Sequence, residues 1–383
     1  MKINIFGSTG VIGTKSLELL NKHYPKCKLN LLVANESHLI LLKQANKYLP
    51  NFICLKNNKK LQYIKNKLNS KVKIIYYEDL NNYLKNSKTT ATILAISGSN
   101  AIFFLESIFL NTINLGLVNK ECIVSCGHLF KKLLNKYKTN IFPLDSEHFS
   151  IFNSITNNNK LQNINKVFLT ASGGPFLNTS LFTLKNVTVS DVIKHPKWKM
   201  GIKNSIDSAT LANKCLELIE AIYLFNLSID ELDIVIHPEA LIHSIIEYKN
   251  YTSIFNYFYN DMSIPISNFY KCFNNNNFDI NKLFNFKKIQ QLNFDKIIIK
   301  KYPIYKIFKN LNFSRPQELI KFNLANEYAV ELFVKNKINY LDIPKIIEKS
   351  LSFDFNASIN SIGGIITYEK EFNLIMQNRN ENI

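Results

Sequence analysis

The chain has no C-x-x-C pair, no internal repeat, a single tryptophan, and no apolar run approaching the roughly 20 residues of a membrane span. Its six cysteines, at 27, 54, 122, 126, 215 and 272, follow neither a disulfide framework nor a zinc spacing. They read as reduced, mostly buried thiols of a cytoplasmic protein. A strand-like run begins at residue 2, so no signal or transit segment is expected. Acidic residues are also scarce, 29 against 47 basic ones, which leaves a net charge of +18. Such a balance invites nucleic acid, but no basic run is interleaved with aromatics. The lysines are scattered among asparagine and isoleucine, and the tracts at 157–159 and 274–277 mark a compositional drift. Neither nucleic acid nor membrane is expected as a partner. A diffuse positive field suits the steering of a small anionic substrate instead.

With 383 residues and 46% hydrophobic content, the chain can bury more than one core. Residues 1–149 alternate short apolar runs with helical stretches. The strand candidates are 3–6, 29–34, 52–55, 72–76, 91–96, 122–126 and 140–144. Strands separated by helix-length connections predict a mostly parallel, doubly wound α/β sheet. Most remaining motifs fall within 150–272; the Asn-rich passage within 273–300 reads as a linker, and 301–383 reads as helical. On the last part, Ala325, Ala329, Leu332 and Phe333 form an apolar face with Asn326 and Glu327 beside it.

Glycines 7, 10 and 13 follow the first strand and precede a helix read over 14–21. Tight turning there lets a helix N-terminus hold a pyrophosphate, although the spacing is G-x-x-G-x-x-G and a purely structural turn is the alternative. At the end of the second strand stands Asn35-Glu36-Ser37, where an acidic residue suits the free ribose of NAD and opposes a 2′-phosphate. Asn119-Lys120-Glu121 puts an amide, a cation and a carboxylate at what reads as the start of a strand, or simply in a polar turn.

Asp145-Ser146-Glu147-His148 follows an apolar run and places two carboxylates at i and i+2. Oxygen donors suit Mg²⁺ or Mn²⁺. The plainer reading is an Asp capping the next helix, with Glu in its first turn. Ser172-Gly173-Gly174 gives a turn whose amides and hydroxyl can meet a phosphate. The loop His195-Pro196-Lys197-Trp198-Lys199-Met200-Gly201 suits a flap over a ligand, or a surface loop whose Trp packs on a neighbour. Asp207 or Ser208 is expected to cap a helix on which Leu211, Cys215, Leu218, Ile222 and Phe225 form a buried stripe. Asn213, Glu217 and Glu220 share the other face beside Lys214; a solvated face is the default, and a carboxylate completing a metal site with Asp145 and Glu147 is the sharper reading. His237 and His243 read as core residues.

Taken in this order, the motifs resemble the 1-deoxy-D-xylulose 5-phosphate reductoisomerase family over about residues 1–335. The resemblance implies an N-terminal Rossmann-like NADPH domain, a central α+β catalytic and dimerisation domain, and a C-terminal helical domain. It implies Asp145, Glu147 and Glu217 as ligands of Mg²⁺ or Mn²⁺. Ser146, Ser172, His195, Ser208, Asn213 and Lys214 would bind a phosphorylated sugar, with Lys120 catalytic and close by. Thr9, Gly10, Val11, Ile12, Ser37, Asn119, Glu121 and Gly201 would contact NADPH. The implied reaction is a carbon-skeleton rearrangement followed by hydride transfer in isoprenoid precursor synthesis, carried out by a cytoplasmic homodimer. Glu36 departs from the family, which usually carries a basic or small polar residue there, and predicts weaker discrimination against NADH. Metal-independent dehydrogenation on the same nucleotide fold is the competing reading.

Overall fold

A computed structural model describes residues 1–156, 163–193, 201–273 and 291–380. The chain divides into two compact units. The first comprises residues 1–119, 130–149 and 261–283, and the second comprises 120–129, 150–260 and 284–383.

In the first stretch of chain, β1 (Lys2–Phe6), α1 (Val11–His23), β2 (Lys28–Ala34), α2 (His38–Tyr48), β3 (Phe52–Leu55), α3 (Leu61–Lys65) and β4 (Lys73–Ile74) run in order. There follow α4 (Leu80–Lys85), β5 (Thr89–Leu94), α5 (Ile102–Asn111), β6 (Thr112–Leu117), α6 (Lys120–Tyr137), β7 (Asn140–Pro143) and α7 (Ser146–Thr156). The seven strands pair in parallel in the order β4-β3-β2-β1-β5-β6-β7. The chain thus winds outward from β1, returns, and winds out the other way from β5. This makes the doubly wound sheet anticipated from the alternation, with its switch point beside β1. Helices cover both faces, which is why β1 and β2 read as near-continuous apolar runs (Ile3, Ile5, Phe6; Leu31, Leu32, Val33).

Three local expectations fail. Cys122–Cys126 is helical, part of α6, and the strand lies earlier at β6. Cys122, Ile123, Val124 and Cys126 are all buried. A helical turn buried all round shows the same short apolar run as a buried strand, so periodicity could not separate them. Asn119-Lys120-Glu121 therefore follows a strand and opens a helix, the reverse of the expected order. The first helix also begins earlier than read, at Val11 directly after Gly10.

Helix α11 (Ser263–Lys271) belongs to the first unit, where Tyr24 and Tyr270 pack at 5.1 Å and the Tyr270 hydroxyl donates to the Ser16 carbonyl at 3.2 Å. Gly116 of β6 packs closely there: a Cβ on it would stand 2.8 Å from the Leu144 side chain and 3.1 Å from the Phe269 ring, which would have to shift.

The second unit is built on a four-stranded sheet ordered β11-β10-β8-β9. Its strands are β8 (Ile164–Ala171), β9 (Leu232–Ile236), β10 (Ile242–Tyr248) and β11 (Ser253–Tyr257). Only the β8–β9 pair is parallel. Its helices are α8 (Val189–Val192), α9 (Ile202–Thr210), α10 (Ala212–Phe225), α12 (Pro303–Lys309), α13 (Pro316–Val334), α14 (Ile343–Leu351) and α15 (Ile362–Asn380). The helical reading from residue 301 onward holds. Most of the expected linker, residues 274–290, lies outside the described residues.

Candidate active site

In the first unit, the turn after β1 is as tight as the glycine spacing demands. Gly7 has φ +78°, and a Cβ on it would stand 2.3 Å from the Ala95 carbonyl oxygen. A Cβ on Gly13 would stand 2.2 Å from the Gly7 carbonyl oxygen. Helix α1 is thereby drawn against the turn, and Gly10 at its N-cap offers no side chain to its first amides. Those amides, with Thr9, Gly10, Val11 and Ile12 around them, suit a pyrophosphate at the switch point of the sheet. Ser8 is withdrawn from this role: its hydroxyl donates to Gln44 at 2.9 Å. Asn119 donates to the carbonyls of Ile96 and Gly98, fixing the loop after β5 on the same edge of the sheet.

Glu36 is engaged by its own neighbours. Its carboxylate accepts from Asn57 at 2.6 Å and lies 3.7 Å from the Lys60 ammonium, largely in solvent. Ser37 is exposed at the start of α2. This bond to Asn57 and the nearby Lys60 soften the repulsion that the carboxylate alone would present to a 2′-phosphate.

The acidic motif supplies the helix-capping Asp of the plainer reading. Asp145 closes the β7 end and receives the Glu147 amide at 3.4 Å, as a helix-capping Asp does. Its carboxylate and that of Glu147, the latter accepting from Ser146 at 2.6 Å, still supply hard oxygen donors side by side. Both belong to the first unit, and Glu217 to the second.

In the second unit, Ser172 directly follows β8, and Gly173 and Gly174 turn through φ +82° and +69°. A Cβ on Gly174 would stand 2.8 Å from the Ser208 carbonyl oxygen. Only glycine lets this turn lie against α9, and the contact brings Ser172 toward Ser208. The Tyr302 hydroxyl holds the turn by donating to the Gly173 carbonyl at 2.9 Å. Asp207 and Ser208 lie in the last turn of α9, so neither caps a helix as expected. The break falls at Leu211, a buried non-glycine residue at φ +67°. Such a conformation costs about 1–2 kcal/mol and is held by its surroundings. It sets Asn213 and Lys214 in the first turn of α10, across the break from Ser208. A phosphate here would meet hydroxyls, an amide, an ammonium and the α10 N-terminus.

The polar face of α10 is not solvated. Of the expected stripe, Leu211, Cys215 and Leu218 are buried and Ile222 and Phe225 half-buried, but Lys214, Glu217 and Glu220 are buried as well. The Glu217 carboxylate lies 3.2 Å from Lys120 Nζ and 2.6 Å from Lys214 Nζ, and it accepts a hydrogen bond from the Asn213 amide. Lys120 also stands 3.7 Å from Glu220. Buried charges cost several kcal/mol each unless paired, and this set is paired throughout.

The sequence reading missed a neighbouring network. Lys203 Nζ lies 3.1 Å from Glu121 and 2.8 Å from Asp207, and Asp207 also accepts from Asn326 at 2.8 Å. Burial pushes the Glu121 carboxyl up, and the Lys203 ammonium, aided by Lys120 and the backbone, outweighs it and holds the group below the usual carboxylate range. Glu327 of α13 is pushed up to about 8, by burial first and then by the Glu121, Glu369 and Asp207 carboxylates, against the pull of Lys203. The Lys203/Asp207 spacing of i, i+4 on one helix was the available signal.

His237 and His243 are core residues, as read: the first stacks on Phe294 at 4.7 Å, the second on Phe258 at 4.0 Å. Gly201 is exposed at the N-cap of α9. His195 and Trp198 lie outside the described residues.

Comparison with known proteins places this geometry in context. Residues 3–127 match the family model for 1-deoxy-D-xylulose 5-phosphate reductoisomerase, and 141–225 and 259–373 match models for its C-terminal domains. The chain is 39% identical over 353 residues to the 1-deoxy-D-xylulose 5-phosphate reductoisomerase of Pelagibacter ubique, covering 91% of this chain and 90% of that one. It is 38% identical over 367 residues to that of Wigglesworthia glossinidia brevipalpis, covering 91% of each. Among solved structures, a DOX-P reductoisomerase in complex with NADPH, fosmidomycin and magnesium superposes with TM-score 0.90 at 28% identity, over 99% of this chain and 98% of that one. The Zymomonas mobilis enzyme in complex with NADPH superposes with TM-score 0.87, also at 28% identity, over 100% of this chain and 99% of that one.

Proposed function

The chain belongs to the 1-deoxy-D-xylulose 5-phosphate reductoisomerase family, and on that premise we propose that it converts 1-deoxy-D-xylulose 5-phosphate to 2-C-methyl-D-erythritol 4-phosphate with NADPH and a divalent cation. NADPH is the reductant and Mg²⁺ the ion of its structural relatives. Mn²⁺ is an alternative that the same oxygen donors accommodate.

The observation that carries the reading is the Glu217 carboxylate, buried and held by Lys120, Lys214 and Asn213 on the helix that also offers phosphate-binding groups. We assign the substrate phosphate to Ser172, Ser208, Asn213, Lys214 and the α10 N-terminus. Ser146 and His195 would meet the rest of the sugar, and Lys120 would lie beside its reacting carbons. Asp145, Glu147 and Glu217 would hold the cation, which when bound supplies Lewis-acid stabilisation and a template for the ketone and neighbouring hydroxyl oxygens. The turn after β1, Ser37, Asn119, Glu121 and Gly201 would fix the nucleotide, which supplies hydride for the reduction step. Residues 1–149 would form the nucleotide domain, 150–272 the catalytic and dimerisation domain, 273–300 a linker and 301–383 the C-terminal helical domain.

The finer organisation follows the same premise. A cytoplasmic site of action accords with the buried Cys54, Cys122, Cys126 and Cys215. No helix among the described residues is long and apolar enough to cross a membrane. A homodimer is supported by the edge strand β11, whose Phe255 is 50% exposed and packs at 5.8 Å on Phe294.

Mn²⁺ binding followed by electron paramagnetic resonance tests the ligand assignment independently of turnover. The parent should bind one tight ion per chain, and Asp145→Asn, Glu147→Gln and Glu217→Gln should each lose it. Parent-like binding in all three variants would sink the assignment.

A further inference from the structure

We propose that Lys203 is a positioning residue for NADPH, acting through Glu121, whose carboxylate it aims at the nucleotide and ties to the helix carrying Ser208. The proposal rests on the reading of Glu121 as a nucleotide contact.

The geometry gives one ammonium two buried carboxylates on different helices. Glu121 opens α6, directly after Asn119 and Lys120, and Asp207 lies in the last turn of α9 beside Ser208. Lys203 reaches both, at 3.1 Å and 2.8 Å. The two acceptors differ in what else they have. Asp207 keeps a second anchor in the Asn326 amide at 2.8 Å. Within 4 Å, the ion-pair partner of Glu121 among the described residues is Lys203 alone. Removing the ammonium therefore leaves Asp207 held by Asn326, while Glu121 loses its ion-pair partner. A carboxylate at a nucleotide can only accept hydrogen bonds, from ribose hydroxyls or the carboxamide, and it repels phosphates. Its usefulness depends on staying charged and on being held at one angle. Burial opposes the charge, and the Lys203 ammonium is the main influence that restores it. The surrounding charges do not replace Lys203: Lys120 exerts a smaller pull on Glu121 and is itself paired with Glu217 at 3.2 Å. The same lysine joins the nucleotide side of the site to the helix that presents a phosphate-binding serine, so both contacts share one support.

Steady-state kinetics of the full-length, Mg²⁺-loaded enzyme, varying NADPH and 1-deoxy-D-xylulose 5-phosphate separately, tests this. Lys203→Met should raise KM for NADPH roughly tenfold, as expected for one lost charge-assisted hydrogen bond, with kcat held within about twofold. Lys203→Arg should restore most of the loss. Combined with Glu121→Gln, Lys203→Met should add nothing to the KM change of Glu121→Gln alone, because the two act as one unit. If Lys203→Met does not fold, Lys203→Gln keeps a hydrogen-bond donor without the charge. Its NADPH dissociation constant, read by nucleotide fluorescence, should still rise. A folded Met or Gln variant with parent-like NADPH affinity overturns the proposal, as does a double variant whose losses multiply. A parent that does not turn the substrate over counts against the proposed function, whereas a parent that turns over beside silent Lys203 variants counts against Lys203 alone.

Discussion

At the scale of single residues, Lys214 has two duties, since it offers a cation to the substrate phosphate and pairs with Glu217 at 2.6 Å. Lys214→Ala should raise KM for the phosphorylated substrate by an amount corresponding to about 1.5–3 kcal/mol. It should also weaken the apparent affinity for the divalent ion, which a metal titration of activity would read. Unchanged values in both would remove Lys214 from the site. Glu36 makes a different case. Its carboxylate is occupied by Asn57 and neighbours Lys60, so the structure lowers the expected penalty against NADPH. Comparing kcat/KM for NADPH and NADH in the parent and in Glu36→Lys should show modest discrimination in the parent and a shift toward NADPH in the variant. Strong rejection of NADH by the parent, unaltered by the substitution, would make Glu36 a bystander.

Glu327 provides a pH test with a definite sign. Its folded pKa is about 8 against an ordinary 4.5. The folded state therefore holds a proton that the unfolded chain has lost. The stabilisation is complete below about 4.5, declines as pH rises, and is gone above about 8. Glu327→Gln should flatten the stability profile across that window, read as the melting temperature against pH. His128, whose pKa burial lowers, slopes the opposite way below 6.5, so the difference between parent and variant is the informative quantity. An unchanged difference from pH 5 to 8 would show that Glu327 does not titrate there.

At the scale of elements, the sequence distinguished steric glycines from permissive ones only in part. The spacing of Gly7, Gly10 and Gly13 announced a turn, and the structure ranks them. Gly13→Ala would place a Cβ 2.2 Å from a backbone oxygen, whereas Gly10→Ala would place it 3.4 Å away. Overpacking of the first kind costs about 1–3 kcal/mol. Gly13→Ala should lower the melting temperature and raise KM for NADPH, while Gly10→Ala should do much less; equal effects would contradict this account of the turn. Strands β1, β2, β3 and β7 were legible because their apolar runs are short and bounded by turn residues. β6 was not, since Asn114 and Gly116 interrupt its apolar pattern while Cys122–Cys126 imitates a strand inside α6. The break between α9 and α10 was equally hidden. Leu211 has no preference for the left-handed conformation it adopts, and only the packed structure imposes it.

At the scale of the whole molecule, the order of the motifs was worth more than any one of them. The paired acids at 145 and 147, the Ser-Gly-Gly turn and the Asn-Lys pair each admit a plain structural explanation, and their collinear arrangement pointed to one family. What sequence could not show was how charge is buried. The α10 face read as solvated is instead packed with paired ammonium and carboxylate groups, and the Glu121–Lys203–Asp207 link joins segments more than 80 residues apart in the chain, since 203 minus 121 is 82. Pairing of that kind depends on tertiary contacts that no local periodicity encodes.

The central claim is a metal-dependent rearrangement coupled to reduction, as opposed to simple dehydrogenation on the same nucleotide fold. The most direct measurement supplies the purified protein with 1-deoxy-D-xylulose 5-phosphate, NADPH and Mg²⁺, follows NADPH oxidation, and determines the product skeleton by carbon NMR. The account predicts stoichiometric oxidation, abolished by a chelator and restored by added metal, with the branched 2-C-methyl-D-erythritol 4-phosphate as product. Oxidation that survives chelation, or yields an unbranched alcohol, would contradict it.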